Sequence, residues 1–172
     1  YVLWQLDFAR VFREKGGFDI VIGNPPYIGE EGNKEIFQEV ANTAFGKKYY
    51  IGKMDFWYFF TSKGIQLLSP KGSLSFIAPN NWMTTAGGKN MRKHIAEQGK
   101  LKKFVTFNNV MVFESASQQT MIFLIQNEKQ NSEYAISYKA VGNRSLNASE
   151  LSQFLNSNNI GTMYTTKYDP II

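Results

Sequence analysis

The tetrapeptide Asn24-Pro25-Pro26-Tyr27 combines two hydrogen-bond acceptors with an aromatic ring at the end of an apolar segment. A residue that precedes proline is pushed towards an extended backbone, so we expect the Asn24 amide to project from a strand end. The two prolines fix the next two φ angles and have no N–H donors of their own. The tetrapeptide is therefore predicted to present the Asn24 side-chain oxygen and the Pro25 carbonyl beside the face of Tyr27.

Two rigid acceptors beside an aromatic ring suit the exocyclic amino group of a nucleobase. The acceptors would hold both N–H groups and draw the nitrogen lone pair out of conjugation, while the tyrosine stacks on the base. Attack on an activated methyl group then needs no acid, thiol or metal. A simple proline turn is the competing interpretation, since Asn-Pro is a common turn dipeptide. The complete tetrapeptide, placed directly after a strand, favours the base-binding interpretation.

Strands and helices alternate around the tetrapeptide. A β-branched run at 18–23 predicts a buried strand that ends at the tetrapeptide. Apolar residues at helical spacing follow, and Gly46 is predicted to close that helix. A turn is expected at 69–72. Further helices are predicted at 55–68 and 88–98, and further strands at 72–78, 103–107 and 119–126. This order is typical of an α/β layer with a parallel core and a late antiparallel hairpin.

The composition becomes more polar after Asn127. A further strand is predicted at 133–141. The sequence from Asn147 to Glu150 resembles a capping box that opens a short helix ending at about Phe154.

The segment Phe18-Asp-Ile-Val-Ile-Gly-Asn-Pro-Pro-Tyr-Ile28 resembles the catalytic motif of amino-methyltransferases. More narrowly, it resembles gamma-order DNA adenine-N6 methyltransferases of type II restriction-modification systems, including fused type IIG enzymes. The segment 4–12 resembles the lead-in of the fused enzymes, and 72–82 resembles a later core strand with its Pro-x-x-Trp exit. The resemblance implies a partial Rossmann-like methyltransferase fold, with a mostly parallel sheet that ends in an antiparallel hairpin. Residues 1–130 would form the catalytic half of the domain, and 131–172 a lead-out towards a target-recognition region.

The resemblance also implies roles for individual residues. Asn24 and Pro25 would hold the amino group of a flipped-out adenine, Tyr27 would stack on it, and Phe113 would make a second aromatic contact. Pro26 belongs to the same catalytic motif and would also touch S-adenosylmethionine. Phe60 would place a ring near the adenine of that cofactor. Core packing is the alternative for both phenylalanines, and Asp55 is expected to act as a helix cap or polar support.

Two motifs are missing from the sequence. None of the 14 glycines stands two positions from another, so the chain lacks the glycine-rich loop that binds the methyl donor in such enzymes. We therefore expect the donor-binding half to precede residue 1 and the isolated chain to be inactive. None of the 14 acidic residues is followed two positions later by lysine, which argues against a common metal-dependent nuclease site.

The charge of the chain suits a polyanionic partner, with 19 basic and 14 acidic residues, a net charge of +5 and a pI of about 9.3. Basic residues concentrate between 89 and 103. Contact with the phosphates of double-stranded DNA is predicted for Lys89, Arg92 and Lys93, with Lys100, Lys102 and Lys103 nearby. A solvated helix face is the alternative.

The chain has no cysteine and only one histidine, His94, which excludes disulfides and thiolate metal sites and predicts no metal centre. No apolar run approaches a membrane span, so a cytoplasmic protein is expected. Without preceding strands, the strand at 18–22 would leave an apolar edge, which predicts self-association.

Other functions stay open. The same pocket would fit the N4 nitrogen of cytosine or the amide nitrogen of a protein glutamine. The chain would look much the same in a phage-defence methyltransferase without a nuclease. A non-catalytic DNA-binding module that uses the basic stretch is a further alternative, although it leaves Asn24 without a role. Sequence ahead of residue 1 that contains a strand followed by a glycine-rich loop would favour a methyltransferase over these alternatives.

Overall fold

The computed structural model describes residues 3–107, 112, 119–129, 133–141, 147–157 and 161–164. The helices are α1 Trp4–Asp7, α2 Ala9–Lys15, α3 Lys34–Ala41, α4 Ala44–Tyr49, α5 Trp57–Leu67, α6 Lys89–Gln98 and α7 Ala148–Asn156. The strands are β1 Phe18–Gly23, β2 Leu68–Pro79, β3 Lys100–Thr106, β4 Thr120–Gln126, β5 Ala135–Ala140 and β6 Gly161–Tyr164. Short 3-10 turns at Asn80–Met83 and Ala86–Gly88 join β2 to α6.

The described strands form one six-stranded sheet in the order β1-β2-β4-β3-β5-β6. β1 runs parallel to β2, and β3 runs parallel to β5. β4 lies antiparallel between β2 and β3, and β6 is antiparallel to β5. The predicted α/β class and the late β3–β4 hairpin are confirmed. The sheet as a whole is mixed, because the hairpin inserts its second strand next to β2.

The helix predicted to end at Gly46 is in fact two helices. α3 ends at Ala41, and Thr43 begins α4 by accepting a hydrogen bond from the Gly46 backbone N–H at 2.9 Å. Gly46 therefore lies inside α4, and the predicted termination there is wrong. The glycine is required for packing rather than for a cap, because a methyl group on it would lie 1.9 Å from the Val40 carbonyl oxygen.

The turn predicted at 69–72 lies within β2. Phe18 pairs with Leu68, whereas Ile20 pairs with Ser73, so two steps along β1 match five along β2. Lys71 takes up the extra length in a left-handed conformation with φ of 64°. The segment is thus an irregularity in a strand that begins directly after α5, and not a separate connection.

The main core lies between the sheet and the helices α5 and α6. Trp57, Trp82, Leu74 and Phe123 are fully or almost fully buried there. A smaller cluster under α7 contains Val105, Phe107 and Val141, packed against partly buried residues that include Leu151, Phe154 and Leu155. The smaller cluster thus packs α7 against the part of the sheet that β3 and β5 form.

β1 is present as predicted, but it is not buried on both faces. Ile20 and Ile22 are 71% and 79% exposed. Val21 points the other way, towards Gly64 in α5 and Leu74 in β2. β1 also forms one end of the described sheet.

The predicted strand at 133–141 and the capped helix after Asn147 are both confirmed. The Asn147 side chain accepts from the Glu150 backbone, and the Glu150 carboxylate accepts from the Asn147 N–H. The division at residue 130 stays a prediction, and the sheet continues across that position through β5. No described helix is long and apolar enough to cross a membrane.

Candidate functional site

The tetrapeptide lies at the carboxyl edge of the parallel pair β1 and β2. Gly23, the last residue of β1, pairs with Phe76, and β2 continues three residues further to Pro79. Because the two strands are parallel, the segments that leave them emerge at the same edge of the sheet. In open α/β sheets this edge is the usual place for ligands.

The two predicted acceptors are free in the described part of the chain. Asn24 is exposed and its side chain makes no hydrogen bond to another described residue. Pro25 is a buried residue, whereas Pro26 is exposed. The Pro25 carbonyl accepts no hydrogen bond from the described backbone. Neither oxygen is therefore occupied by a described donor; Asn24 is exposed, and Pro25 lies buried beside it.

Tyr27 is held from its hydroxyl end. The ring is half-buried against the main core, and the hydroxyl donates a hydrogen bond to the Ile77 carbonyl at 3.0 Å. Burial, and secondarily the negative charge of Asp55, raise the pKa of Tyr27 to about 12. The phenol therefore stays protonated and remains a donor at neutral pH.

A short ribbon fixes the residues that follow the tetrapeptide. Gly29 and Asp55 form an antiparallel bridge, flanked by hydrogen bonds from Phe56 N–H to the Ile28 carbonyl at 2.8 Å and from Glu30 N–H to the Met54 carbonyl at 2.9 Å. The ribbon joins the exit of the tetrapeptide to the entrance of α5.

The Glu30 carboxylate adds two more hydrogen bonds to this ribbon. One oxygen accepts from the Tyr50 hydroxyl at 2.5 Å, and the other accepts from the Met54 N–H at 3.2 Å. The hydrogen bond to Glu30 raises the pKa of Tyr50. Glu30 thus binds both ends of the short loop that precedes α5.

Asp55 is a buried acid next to Tyr27. Burial raises its pKa to about 6, against the opposing effect of the N–H groups of Trp57, Phe56 and Ile28. One carboxylate oxygen has no hydrogen-bond partner among the described residues. The N-cap position of α5 is Phe56, whose side chain forms no cap bond, so Asp55 acts on the first N–H groups of the helix from one residue further out. The alternative expectation, a polar support, fits its position.

Phe60 lies on the exposed side of α5. It is 43% exposed, and its ring meets Phe56 with centroids 5.9 Å apart. The neighbouring Phe59 and Tyr58 are buried in the core. Phe60 is therefore the ring in this aromatic run that a ligand could reach.

The loop between β2 and α6 is anchored by Arg92. Its Nη1 donates to the carbonyls of Trp82 and Thr85, and the Thr85 hydroxyl is 3.1 Å from the Tyr58 hydroxyl. Gly87 allows the loop to contact the segment before α5, because a methyl group there would lie 1.9 Å from the Lys53 carbonyl oxygen. The connection from β2 to α6 is thus fixed against the loop that precedes α5.

The predicted phosphate-contacting residues differ in their surroundings. Lys89 and Lys93 are exposed on α6, and Lys93 lies 3.8 Å from Glu97 in an exposed ion pair. Arg92 is half-buried and occupied by the two loop carbonyls. The structure therefore gives Arg92 an internal role and leaves the two lysines open to solvent.

Phe113, predicted to contact the base, lies outside the described residues.

Sequence reasoning missed Glu30 and Ile77. The Ile77 acceptor could not be found from the sequence, because it is a backbone carbonyl that any residue at that position of β2 would offer. Glu30 had a weak signal, as an acid only three residues after the tetrapeptide. The described residues contain no group of three or more acidic or histidine side chains that could hold a metal ion.

Comparisons with known proteins show the family of the chain and relatives of its fold. The family model described as Eco57I restriction-modification methylase matches residues 1–113. The type II methyltransferase M.HincII of Haemophilus influenzae is 32% identical over 111 residues, which are 64% of this chain and 22% of that protein. The chain thus spans about a fifth of that relative's length.

Two solved structures share the fold. One is a protein from Listeria monocytogenes assigned as a class I S-adenosylmethionine-dependent methyltransferase, with a TM-score of 0.55, 15% identity and coverage of 81% of this chain and 42% of that one. The other is DrdV in a DNA complex, with a TM-score of 0.58, 13% identity and coverage of 96% and 19%.

Proposed function

Because the chain belongs to the Eco57I restriction-modification methylase family, we propose that it is the base-binding part of a DNA adenine-N6 methyltransferase of type II. The observation that carries the proposal is a pair of acceptors without a described donor, Asn24 and Pro25, beside an anchored Tyr27 at the carboxyl edge of the sheet.

In this proposal the chain acts by holding and orienting a flipped-out adenine. The Asn24 side-chain oxygen and the Pro25 carbonyl each accept one N–H of the N6 amino group. Tyr27 stacks on the base, and the hydrogen bond to Ile77 keeps its ring in place. Stacking on such a ring offsets part of the cost of unstacking the base, a few kcal/mol. Phe113 would add the second aromatic contact.

S-adenosylmethionine, when bound, would supply the activated methyl group: its sulfur–methyl bond would break as the nitrogen–methyl bond forms, leaving the neutral thioether, and N6 would release one proton to solvent. Two features of the chain fit this cofactor: Phe60 leaves its ring accessible on α5, and Pro26 is exposed beside Asn24. We assign both to the cofactor side of the site. The glycine-rich loop for the donor would come from another part of the full-length protein, in keeping with the small share of its relative that this chain spans.

DNA is the proposed substrate, and exposed lysines of α6 would contact its phosphates. Lys89 and Lys93 are both exposed, Lys93 in a loose ion pair with Glu97, whereas Arg92 serves the loop. Contacts of this kind hold the duplex without reading its sequence.

The proposal is tested by incubating the full-length protein with labelled S-adenosylmethionine and DNA, then identifying the methylated base by mass spectrometry. N6-methyladenine is the expected product. N4-methylcytosine, or label transferred to a protein glutamine instead of DNA, would replace the substrate that we propose. Binding of DNA with no transfer to any acceptor would identify a non-catalytic module.

A further inference from the structure

Glu30 joins two segments of the site, and a third segment packs on one of them. Its backbone N–H continues the ribbon that leaves the tetrapeptide, and its carboxylate reaches across to the loop before α5. Both carboxylate oxygens are used, one by the Tyr50 hydroxyl and one by the Met54 N–H. These two donors bracket a three-residue loop, 51–53.

The bracketed loop has an unfavourable backbone. Gly52 and Lys53 are consecutive residues with positive φ, 87° and 52°. A lysine adopts the left-handed region rarely, and such a conformation persists only where the surroundings hold it. The Glu30 carboxylate supplies part of that hold by fixing the residue on each side of the loop.

The same loop supports the third segment. Gly87, in the connection from β2 to α6, fits only because it has no side chain facing the Lys53 carbonyl. The shape of loop 51–53 therefore sets where the connection from β2 to α6 lies. A displacement of this loop would move that connection and the start of α5 together.

The charge of Glu30 is suited to this role. No described lysine or arginine forms an ion pair with it, so its hydrogen bonds go to two neutral donors. Hydrogen bonds to an ionised acceptor are roughly twice as strong as neutral ones. A single carboxylate can thus fix two points of the loop without a cationic partner.

We propose that Glu30 is a positioning residue, which fixes the Asn24–Tyr27 tetrapeptide relative to the start of α5 and so aligns the base-binding side of the site with the cofactor side. The role rests on the proposed function. Glu30 itself touches neither base nor cofactor. It acts through Tyr50 and Met54, and a misalignment of about 1 Å can cost on the order of a hundredfold in rate.

The first test measures the clamp without any reaction. Amide hydrogen exchange of Met54 and Phe56 is followed in the full-length protein with Glu30→Ala, Glu30→Gln and Tyr50→Phe. Glu31→Ala is the matched control, because Glu31 is an exposed neighbour whose carboxylate makes no hydrogen bond to a described residue. We expect exchange at Met54 to accelerate at least about tenfold in Glu30→Ala, and to stay unchanged in Glu31→Ala.

The second test separates positioning from folding. Glu30→Ala is expected to lower kcat for methylation by about tenfold to a hundredfold, with the Kd for DNA unchanged. Glu30→Gln, which retains one acceptor oxygen, should recover part of kcat. Tyr50→Phe should lower kcat less, and it should add little in the Glu30→Ala background, since the two residues share one interaction.

The outcomes distinguish the two proposals. Wild-type kcat in Glu30→Ala, or unaltered exchange at Met54, overturns the positioning role. Equal losses of kcat and of DNA affinity also overturn it, because general destabilisation would explain them. Suppose instead that Met54 exchange responds to the Glu30 substitutions as expected, but the wild-type protein methylates no acceptor. The proposed function would then be refuted, and Glu30 would keep its structural role without the catalytic consequence.

Discussion

The hydroxyl of Tyr27 donates to the backbone carbonyl of Ile77 at 3.0 Å, across the boundary between the tetrapeptide and β2. The bond joins residues 50 positions apart. It fixes the ring at its outer end, while the prolines fix the backbone at its inner end. A ring held at both ends loses little freedom when a base stacks on it, which favours capture of a flipped base.

Removal of the Tyr27 ring should weaken base capture more than removal of its hydroxyl. Tyr27→Ala loses the stacking face, whereas Tyr27→Phe keeps it and loses only the bond to Ile77, a loss of about 1 kcal/mol. Fluorescence of 2-aminopurine at the target position measures capture. We expect a large loss of signal with alanine and a small one with phenylalanine. An unchanged signal in the alanine variant would contradict stacking by Tyr27.

Asn24→Ala should severely impair methylation and leave DNA binding intact. The exposed amide makes no hydrogen bond to another described residue, so its removal should not disturb the fold. Loss of one aligned acceptor should lower kcat by about a hundredfold or more. The control is Asn81→Ala, which removes an exposed amide from the segment that follows β2. Methylation near the wild-type rate in Asn24→Ala would rule out the proposed role.

Much of the fold could be predicted from the sequence, because local patterns determine it. The strand before the tetrapeptide, the β3–β4 hairpin and the capping box at Asn147 all follow from short stretches of residues. The break between α3 and α4 could not be predicted in this way. It depends on the close approach of Gly46 to the Val40 carbonyl, which forms only when the two helices pack.

The site could be predicted only where a motif carries it. Asn24 to Tyr27 are adjacent in sequence, and the structure places them at one sheet edge. Glu30 becomes significant only when Tyr50 and Met54 fold back onto it. Arg92 was grouped with its basic neighbours by charge, yet its guanidinium faces inwards to Trp82. Long-range contacts of this kind leave no pattern in a single sequence.

The α6 lysines and Arg92 should respond differently to substitution. Reversing Lys89 and Lys93 together should lower affinity for DNA of any sequence and reduce the slope of log K against log salt by about 2. Arg92→Gln should leave the slope unchanged and lower the thermal midpoint, because it removes hydrogen bonds to the Trp82 and Thr85 carbonyls. An unchanged slope in the double lysine variant would make the two lysines a solvated face.

His94 should make the chain less stable in mild acid. Burial, and then the positive charge of Lys48, lower the pKa of His94 to about 4. The unfolded chain therefore takes up the proton first, so stability is lost as pH falls from about 6.5 towards 4. After allowance for solvent screening, we expect a loss of about 1–2 kcal/mol between pH 7 and 5. Urea unfolding of wild type and His94→Gln measures it, and an equal pH dependence in both would contradict this assignment.

The 172-residue chain by itself is predicted to bind S-adenosylmethionine weakly or not at all, because the described site contains the base-binding side and only Phe60 and Pro26 on the cofactor side. Titration calorimetry tests this directly. Saturable binding in the micromolar range would show that the donor site is more complete than we propose. The Phe60→Ala variant would then show whether the assigned ring contributes.

The exposed face of β1 should also drive self-association of the isolated chain. Ile20 and Ile22 are largely exposed and lie side by side on an end strand of the described sheet. Exposed apolar edge strands seek partners, and a charge placed on them is the usual remedy. Light scattering at increasing concentration should show a rising mass for the wild-type chain and a monomer for Ile20→Lys. A clean monomer for both, at high concentration, would show that this face stays unpaired in solution.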